Sequence, residues 1–361
     1  MMGVVNPRPL VPLLAAAVLA ASVVARSQSP QVPPSEEAFR LNRVAEGVYH
    51  AVGTGVMPVG SNAVVIVTDE DVVLVDSHST PAAAAALQRQ VRQITSKPVR
   101  VVINTHFHWD HAHGNQVYGP GVEIIGHEFT RRMLAAGASK RGRSYDMFIG
   151  SLPSQVAQLR ARVAQTPEGP DRVTLQRQLE SQERYLADTQ TVVPTPPGTV
   201  VRDRLVLTRG SREIHLLHLG RGHTGGDLVV YLPRERLVAT GDLLTAGPAY
   251  LGDGYFADWL ASLDALRRLE FDTVLPGHGD AFPGKARIGH FQAYLRDFLA
   301  QVRRYHAEGL SSEEAARRID LRSHADHYPT IREAGILSHG VYRAYDELDG
   351  RTADLPGPLP W

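Results

Sequence analysis

The hydrophobic positions of the chain fall into short runs that predict β-strands, separated by stretches with helical spacing. Runs rich in Val, Ile and Leu that are bounded by Gly, Ser, Asn or Asp are typical of buried strands. In the first half these runs lie at Gly47–Val52, Ala63–Thr68, Asp71–Val75, Val99–Ile103 and Val122–Ile125. In the second half they lie at Val200–Leu207, Glu213–Leu219, Leu228–Leu232, Arg236–Thr240 and Thr273–Leu275.

Helical spacing occurs between these strands and after the last of them. The predicted helices are Pro81–Ile94, Glu128–Ala136, Asp258–Leu269, Arg287–His306 and Ser312–Ile319. Strands and a helix, a helical insertion, then strands and helices again favour a sandwich in which sheets lie inside and helices outside. The sequence therefore predicts an α+β fold.

The insertion is more polar than a core element. Ser154–Gln165 and Asp171–Thr189 are rich in Arg, Gln, Glu and Leu, and Pro167–Pro170 separates them, which predicts a helical hairpin within residues 150–192. Its apolar positions form a thin stripe at Leu159, Val163, Leu175, Leu179, Tyr185 and Leu186. Two interpretations remain: a solvated insertion, or a cover that forms one wall of the substrate pocket.

The N-terminus has the pattern of a secretory signal. Arg8 precedes an apolar run from about Val11 to Ala25, which is short for a spanning helix and ends in small residues. We predict a signal peptide at 1–27 and a periplasmic or secreted protein without stable membrane association after cleavage; an uncleaved anchor is the alternative. A linker at 28–43, one domain at 44–310 and a helical, Pro-rich extension at 311–361 complete the predicted organisation.

Composition narrows the partners and the possible ligands. Lys+Arg and Asp+Glu both number 38, so nothing favours binding to nucleic acid, and a small-molecule substrate is expected. The chain has no cysteine, so disulfides and thiolate ligands are excluded. Any metal must be held by His, Asp or Glu. The sequence does not indicate an oligomeric state.

The densest candidate chemistry is the segment Thr105–His111, which reads T-H-F-H-W-D-H and follows the buried run Val99–Ile103. In extended backbone His106 and His108 project to the same side, and Asp110 and His111 lie further on. One metal could take the first pair and a second metal the other. Imidazole and carboxylate ligands suit Zn²⁺, with iron or manganese as alternatives.

Three further motifs follow predicted strands or sit in glycine-rich turns. They are G-H-T at His223, G-D at Asp242 and G-H-G at His278. Asp227 competes with Asp242 as a ligand, but Asp227 precedes a strand whereas Asp242 follows one. Each motif alone is weak, while the set in this order indicates one metal site.

The set H-x-H-x-D-H, G-H-T, G-D and G-H-G resembles the metallo-β-lactamase superfamily of hydrolases, from about Val44 to His290. The resemblance implies a four-layer αββα sandwich, here with a helical-hairpin insertion, and a site along one edge of its two sheets. It implies a first metal on His106, His108 and His223, and a second on Asp110, His111 and His278. Asp242 would bridge the two metals, and Asp76 would support the site from behind the ligands.

The expected activity is that of an exported, dinuclear, metal-dependent hydrolase. A metal-bound water, whose pKa falls to about 7 in such sites, would attack the carbonyl of a lactam, lactone or thioester. Two zinc ions per chain are expected, and Asp110 would both bind metal and orient the nucleophile. A lactonase-type tyrosine is absent at Thr245, although Tyr250 or Tyr255 could reach the site.

Two alternatives use the same scaffold. A mononuclear iron enzyme of the persulfide-dioxygenase type would use only His106, His223 and Asp242. A non-catalytic cofactor-handling protein would have no need of the complete ligand set. Of the other histidines, His113 and His127 are expected near the site or on the surface, and His78 could line the pocket. His324 and His327 echo the motif without a preceding strand, and a metal role for them is not favoured.

Overall fold

The computed structural model describes residues 37–351. The strands are β1 (Phe39–Ala45), β2 (Val48–Gly53), β3 (Ala63–Val67), β4 (Val72–Val75), β5 (Val99–Ile103), β6 (Glu123–His127), β7 (Thr199–Val201), β8 (Arg204–Arg209), β9 (Arg212–His218), β10 (Leu228–Leu232), β11 (Leu237–Gly241), β12 (Thr273–Pro276) and β13 (Phe282–Pro283). The α-helices are α1 (Pro81–Ile94), α2 (Trp109–Ala112), α3 (Glu128–Ala135), α4 (Arg143–Tyr145), α5 (Leu152–Gln165), α6 (Pro170–Gln190), α7 (Phe256–Arg267), α8 (Ala286–Ala307), α9 (Ser312–Arg318) and α10 (Ser338–Leu348). Short 3-10 turns lie at His113–Val117, Ala138–Lys140 and Arg322–His324, and a π-helical turn at Asp146–Gly150.

The strands form two sheets, one from each half of the chain. The first has the order β1-β2-β3-β4-β5-β6-β7, antiparallel as far as β4 and parallel from β4 onward. The second has the order β13-β12-β11-β10-β9-β8, in which only the pair of β11 and β12 is parallel. The chain therefore completes one sheet before it builds the other.

Alternation along the strands divides each sheet into two apolar faces. Val73, Val75 and Ile103 belong to a core that also contains Leu228 and Val230 from the second sheet. Neighbouring side chains on a strand point to opposite faces. A residue that lies between two of these core positions, such as Leu74 between Val73 and Val75, therefore faces outward. The inner faces of the two sheets therefore pack against each other.

The outer faces are covered by helices. Leu74 and Val102 pack with Leu87 and Val91 of α1 on the outside of the first sheet. Helix α1 starts cleanly, because the Thr80 hydroxyl accepts the Ala83 N–H and Pro81 occupies the first helical position. On the second sheet a larger core joins the outward side chains of β10, β11 and β12 to helices α7 to α10. The predicted αββα sandwich is confirmed.

Helices α5 and α6 form the predicted hairpin. The predicted stripe makes its own small apolar cluster, together with Leu152 and Val156. Most other hairpin side chains are exposed. The hairpin is therefore stabilised mainly by apolar packing between its own two helices, as its polar sequence indicates.

Both predicted boundaries of the domain need correction. The fold begins at Phe39 rather than at residue 44, because β1 pairs with β2 and the Phe39 ring is fully buried, stacked on His78 at 4.5 Å. At the other end, residues 311–351 are not a separate extension: Ala315, Ile319 and Val341 lie in the same core as α7 and α8. The predicted signal peptide, 1–27, lies outside the described residues. Within residues 37–351, no helix is long and apolar enough to cross a membrane.

Candidate metal centre

The site forms at the edge where strands of both sheets end. Strand β5 ends at Ile103, and the chain then passes through Thr105 into the short helix α2. Asp76, directly after β4, has a left-handed backbone with φ of 66°. This conformation is uncommon for a residue other than glycine, and it is held because the Asp76 carboxylate accepts the Thr105 N–H and hydroxyl, each at 2.8 Å.

Three histidines form the first group of potential ligand atoms. His106, His108 and His223 each present one ring nitrogen within 4.8 Å of the others. The Nδ1 atom of His108 lies 3.0 Å from Nε2 of His223. The rings of His106 and His108 meet edge to face at 4.7 Å, and all three side chains are buried. The sequence expectation that His106 and His108 point the same way agrees with this grouping.

A second group combines a carboxylate with two histidines. Asp110, His111 and His278 also place ligand atoms within 4.8 Å of one another. His278 Nε2 lies 3.1 Å from Asp110 Oδ2 and 3.3 Å from His111 Nε2. His278 is the most exposed of the three, with 40% of its side chain accessible.

Asp242 lies between the two groups. Its Oδ2 is 3.6 Å from Nε2 of His223 in the first group and 3.2 Å from Nε2 of His278 in the second. Its Oδ1 is 3.5 Å from Nε2 of His111. The structure thus brings together all seven residues that the sequence analysis singled out.

The protonation states of His106, His223, Asp110 and Asp242 suit metal ligands, which must be neutral imidazoles and ionised carboxylates. Burial, and then the neighbouring histidines, lower the pKa of His106 well below its usual value and that of His223 to about 3. Burial opposes ionisation of Asp110 and Asp242, but the adjacent histidines outweigh it and lower both pKa values, that of Asp110 to about 2. The same carboxylates raise the pKa of His111, and that of His278 to about 10, against the effect of burial, so a metal would have to displace a proton from each of these two rings.

Several buried polar atoms at the site have no hydrogen-bond partner among residues 37–351. They include Nε2 of His106 and Oδ1 of Asp242. An unpaired buried polar group is costly, and a cation among these atoms would satisfy them. Imidazole nitrogens together with carboxylate oxygens, here from Asp110 and Asp242, are typical ligand atoms of Zn²⁺. The residues present therefore fit the implied metals.

Two carboxylates behind the ligands set their orientation. Asp76 Oδ2 accepts a hydrogen bond from Nδ1 of His111 at 2.8 Å, as its place in the sequence suggested. Asp253 Oδ2 lies 3.0 Å from Nε2 of His108. The sequence analysis missed Asp253, which lies in the irregular stretch between β11 and α7. The sequence G-D-G at residues 252–254 predicts only a turn.

Glycines let the backbone approach the ligands closely. A Cβ atom on Gly60 would lie 2.6 Å from Cβ of Asp110. A Cβ on Gly277 would collide with Oδ1 of Asp242 and would lie 2.8 Å from Cε1 of His111. Any larger residue at either position would displace a ligand.

The remaining candidates lie outside the two ligand groups and Asp242. The carboxylate of Asp227 accepts the Thr224 N–H and hydroxyl, so it braces the turn that carries His223. His113 is buried against the Ser139 hydroxyl at 2.9 Å, and His127 stacks on His218. His78 is buried with Nδ1 3.1 Å from the Ser61 carbonyl, and it lines neither cavity described below.

The C-terminal motif is also placed away from the centre. His324 lies 3.0 Å from Asp297, and His327 stacks on His290 at 3.5 Å. Neither belongs to a group of three potential ligands among the described residues.

Two cavities open beside the ligands. The metal-side cavity has a volume of about 380 Å³ and is lined by Asp110, Asp242 and His278 together with Trp109, Phe148 and Tyr250. A neighbouring cavity of about 310 Å³, the arginine-side cavity, is lined by Phe107, Met133, Arg141, Arg143 and Asp253. His108, Trp109 and Ser144 line both, so the cavities meet at the first ligand group.

The hairpin does not line either cavity. Among the described residues, the wall facing Trp109 comes instead from residues 138–148, just before α5. The hairpin does approach the site elsewhere, since Tyr185 of α6 contacts Ser79 and interacts electrostatically with Asp110, so its role as a pocket wall stays a prediction. Of the two tyrosines considered, Tyr250 lines the metal-side cavity, and Tyr255 is buried near Phe129.

Comparisons with known proteins agree with this geometry. A family model described as the metallo-beta-lactamase superfamily matches residues 56–278. The chain is 24% identical over 312 residues to a linear primary-alkylsulfatase of Pseudomonas sp., across 81% of this chain and 57% of that protein. It is 25% identical over 214 residues to the alpha subunit of a 2,4-dinitroanisole O-demethylase of Nocardioides sp., across 58% of this chain and 50% of the relative. The chain thus spans about half the length of these relatives.

A solved structure has the same fold. The stereoselective inverting sec-alkylsulfatase from Pseudomonas sp. superposes with a TM-score of 0.59 at 20% identity, covering 89% of this chain and 52% of that one. The likeness extends beyond the residues matched by the family model, in agreement with the packing of the C-terminal helices onto the common core.

Proposed function

Because the chain belongs to the metallo-beta-lactamase superfamily, we propose that it is a hydrolase that uses two divalent metal ions, with zinc as the first candidate. The first ion would be held by His106, His108 and His223, and the second by Asp110, His111 and His278. Asp242 would bind both. The observation that carries this proposal is the position of Asp242, whose carboxylate lies within 3.6 Å of ligand nitrogens from each group.

Two such cations would supply a water acidified toward neutral pH and a Lewis acid for the bond to be cleaved. The protein's own contribution is orientation. The ionised carboxylate of Asp110 lines the metal-side cavity, so it can accept a hydrogen bond from the attacking water and fix its direction. Trp109, Phe148 and Tyr250 exclude bulk water from that side of the ligands.

The proposed substrate is a small, largely apolar molecule with a carbonyl that is open to hydrolysis, such as an ester, lactone, thioester or lactam. The cavities support this class, because most of the wall surface that they expose is apolar, although charged and polar residues also line them. Sites of this kind bind apolar ligands and use few polar groups for orientation.

A sulfate ester is the second candidate. A relative that aligns with 81% of the chain is named as an alkylsulfatase, and Arg143 gives this class a specific contact. The Arg143 guanidinium lines the arginine-side cavity and binds Asp346 at 3.0 Å through Nη2. Its Nη1 atom is buried without a hydrogen-bond partner among residues 37–351, so it could donate to a sulfate oxygen.

The test combines metal analysis with a substrate panel. Purified protein should contain about two zinc ions per chain and should hydrolyse p-nitrophenyl acetate, a lactone, a thioester or a β-lactam faster than a phosphodiester. An unbranched primary alkyl sulfate and 2,4-dinitroanisole test the activities named for the relatives. One iron per chain would favour the dioxygenase alternative, and full metal loading with no turnover would favour a non-catalytic protein.

A matched pair of variants tests the Asp110 carboxylate, which would both bind the second metal and orient the attacking water. Asp110→Asn should lower kcat by at least about a hundredfold, the range of a lost catalytic carboxylate. Asp280→Asn alters an exposed carboxylate two residues after His278, which is paired with Arg40, and should leave turnover unchanged. Equal activity of the wild type and Asp110→Asn would contradict the proposed role.

Export is proposed on the N-terminal pattern alone. Expression of the full chain in a Gram-negative host, followed by fractionation, should place the mature protein in the periplasm or the medium with residues 1–27 removed. A full-length protein that stays in the cytoplasm would contradict it.

A further inference from the structure

A third cavity adjoins the metal-side cavity and shares four of its lining residues. It has a volume of about 290 Å³, and we refer to it as the tail cavity. Phe148, Pro248, Ala249 and Tyr250 line both this cavity and the metal-side cavity. Its far wall consists of Leu251, Tyr294, Ile336, Leu337 and Gly340. The tail cavity therefore continues the candidate active site toward the C-terminal helix α10.

The lining of the tail cavity is apolar. None of its described lining residues carries a charge, and the polar groups among them are the hydroxyls of Tyr250 and Tyr294. Two of its residues are unusually exposed for their type, Phe148 at 45% and Leu337 at 53%. Exposed large apolar side chains that share one groove are typical of a binding surface.

Phe148 and Tyr250 stand where the two cavities meet. Their rings make an edge-to-face contact at 6.2 Å, and Phe148 also lies 6.2 Å from Trp109. Phe148 belongs to the π-helical turn Asp146–Gly150, an irregularity that often marks functional sites. Tyr250 packs directly over Gly252, where a Cβ would collide with the phenol oxygen. The aromatic path from the ligands to the tail cavity is therefore continuous.

We propose that the tail cavity binds the apolar end, alkyl or aryl, of a substrate whose reacting group lies at the metal-binding residues. The inference rests on the proposed hydrolase function, since it uses the same site. It adds that affinity should depend on the length of the apolar chain. A methylene that leaves water for such a cavity improves affinity by about fourfold.

The C-terminal helix makes this inference testable without harm to the fold. Leu337 is the N-cap of α10, with an extended backbone and no capping side chain. Aspartate is among the preferred residues at an N-cap, so Leu337→Asp places a charge at the cavity while it favours the helix. Val173→Asp is the matched control: Val173 is 51% exposed, lies near the start of α6, and lines neither the metal-side cavity nor the tail cavity.

The experiment measures binding and turnover separately on the metal-loaded protein. Binding of unbranched alkanols from butanol to decanol is measured by calorimetry, and KM is measured for p-nitrophenyl esters of acids of the same lengths. In wild type and Val173→Asp, Kd should fall by about fourfold per methylene until the cavity is filled. In Leu337→Asp this dependence should flatten for the longer chains, with an unchanged thermal midpoint.

The outcomes distinguish the two proposals. Identical chain-length dependence in wild type and Leu337→Asp overturns the tail cavity as a subsite. Ester hydrolysis with no dependence on chain length also overturns it and leaves the hydrolase function intact. Chain-length-dependent alkanol binding that Leu337→Asp weakens supports the tail cavity even if no ester is turned over, in which case only the hydrolase function fails.

Discussion

The Nε2 atom of His108 lies 3.0 Å from Oδ2 of Asp253, and this contact leaves Nδ1 of the same ring facing His223. An imidazole that donates one N–H presents its lone pair at the other nitrogen. Asp253 therefore fixes which nitrogen of His108 is available to a metal, in the way that carboxylates behind metal ligands commonly act. The backbone carbonyl of Gly254, next in the chain, accepts a hydrogen bond from Arg343 of α10 at 2.7 Å, which anchors this loop.

Loss of the Asp253 carboxylate should weaken metal binding. Asp253→Ala is expected to lower affinity at the first site by roughly 10–100-fold, the usual effect of removing such a partner. Competition with a chromophoric chelator measures this directly. Asp253→Asn keeps an acceptor oxygen and should recover part of the loss. Asp258→Ala removes an exposed carboxylate paired with Arg221 and should bind metal like wild type.

Asp242 and Asp227 should respond differently to substitution. Asp242→Ala is expected to reduce metal content toward one ion per chain, because its carboxylate lies near both ligand groups. Asp227→Ala should retain both ions but lower the free energy of unfolding, since it releases the Thr224 turn. Metal content by mass spectrometry and urea unfolding measure the two effects. If Asp227→Ala loses metal and Asp242→Ala does not, the assignment of Asp242 rather than Asp227 as the shared ligand is wrong.

His113 should make stability depend on pH. Burial, and then the charge of Lys140, lower the pKa of His113 to about 3, against about 6.5 in an unfolded chain. Between these values the unfolded state binds more protons, so this contribution is complete above pH 6.5 and is lost as the pH falls toward 3. Relative to His113→Gln, wild type should lose at most about 1.4 kcal/mol per pH unit in that window. Urea midpoints of wild type and His113→Gln at pH 5, 6 and 7 measure the difference. If both midpoints change equally with pH, the prediction is wrong.

The hairpin should be dispensable for the chemistry. Replacement of Leu152–Gln190 by a short Gly/Ser linker is expected to keep both metals and to leave KM within about threefold, because no hairpin residue lines the metal-side or arginine-side cavity. The free energy of unfolding should change little, since the hairpin apolar cluster packs mostly on itself. A KM increase above tenfold with metals retained would restore a role in substrate binding.

The sequence allowed the layers, and the meeting of the seven candidate ligands, to be predicted for one physical reason. Strand ends at one edge of a sandwich converge, so polar residues that directly follow apolar runs, such as His106 and Asp242, meet in space. The apolar stripe of the hairpin could also be predicted, because helical spacing identifies Leu175 and Leu179 without tertiary information.

Residues positioned by irregular backbone could not be predicted in this way. Asp253 approaches His108 from 145 positions away in the chain, through a loop with no periodicity. The start of the fold was missed for a weaker reason: the alternation of Phe39 and Leu41 was visible, but it adjoins a Pro/Ser-rich stretch that reads as linker. Helix α10 has Val341, Ala344 and Tyr345 at helical spacing. The Pro-rich composition near the C-terminus obscured this helical pattern in the sequence.

The division of the ligands between the two sheets has a consequence for how the protein matures. Four of the seven residues lie within positions 106–111, and the other three are separated by long stretches that end at His278. During synthesis the first cluster leaves the ribosome long before its partners, when only a partial and weaker chelate can form. In the proposed dinuclear site, full metal loading would therefore wait until β12 has joined the second sheet and His278 is in place, and the metals would connect two halves that have already folded.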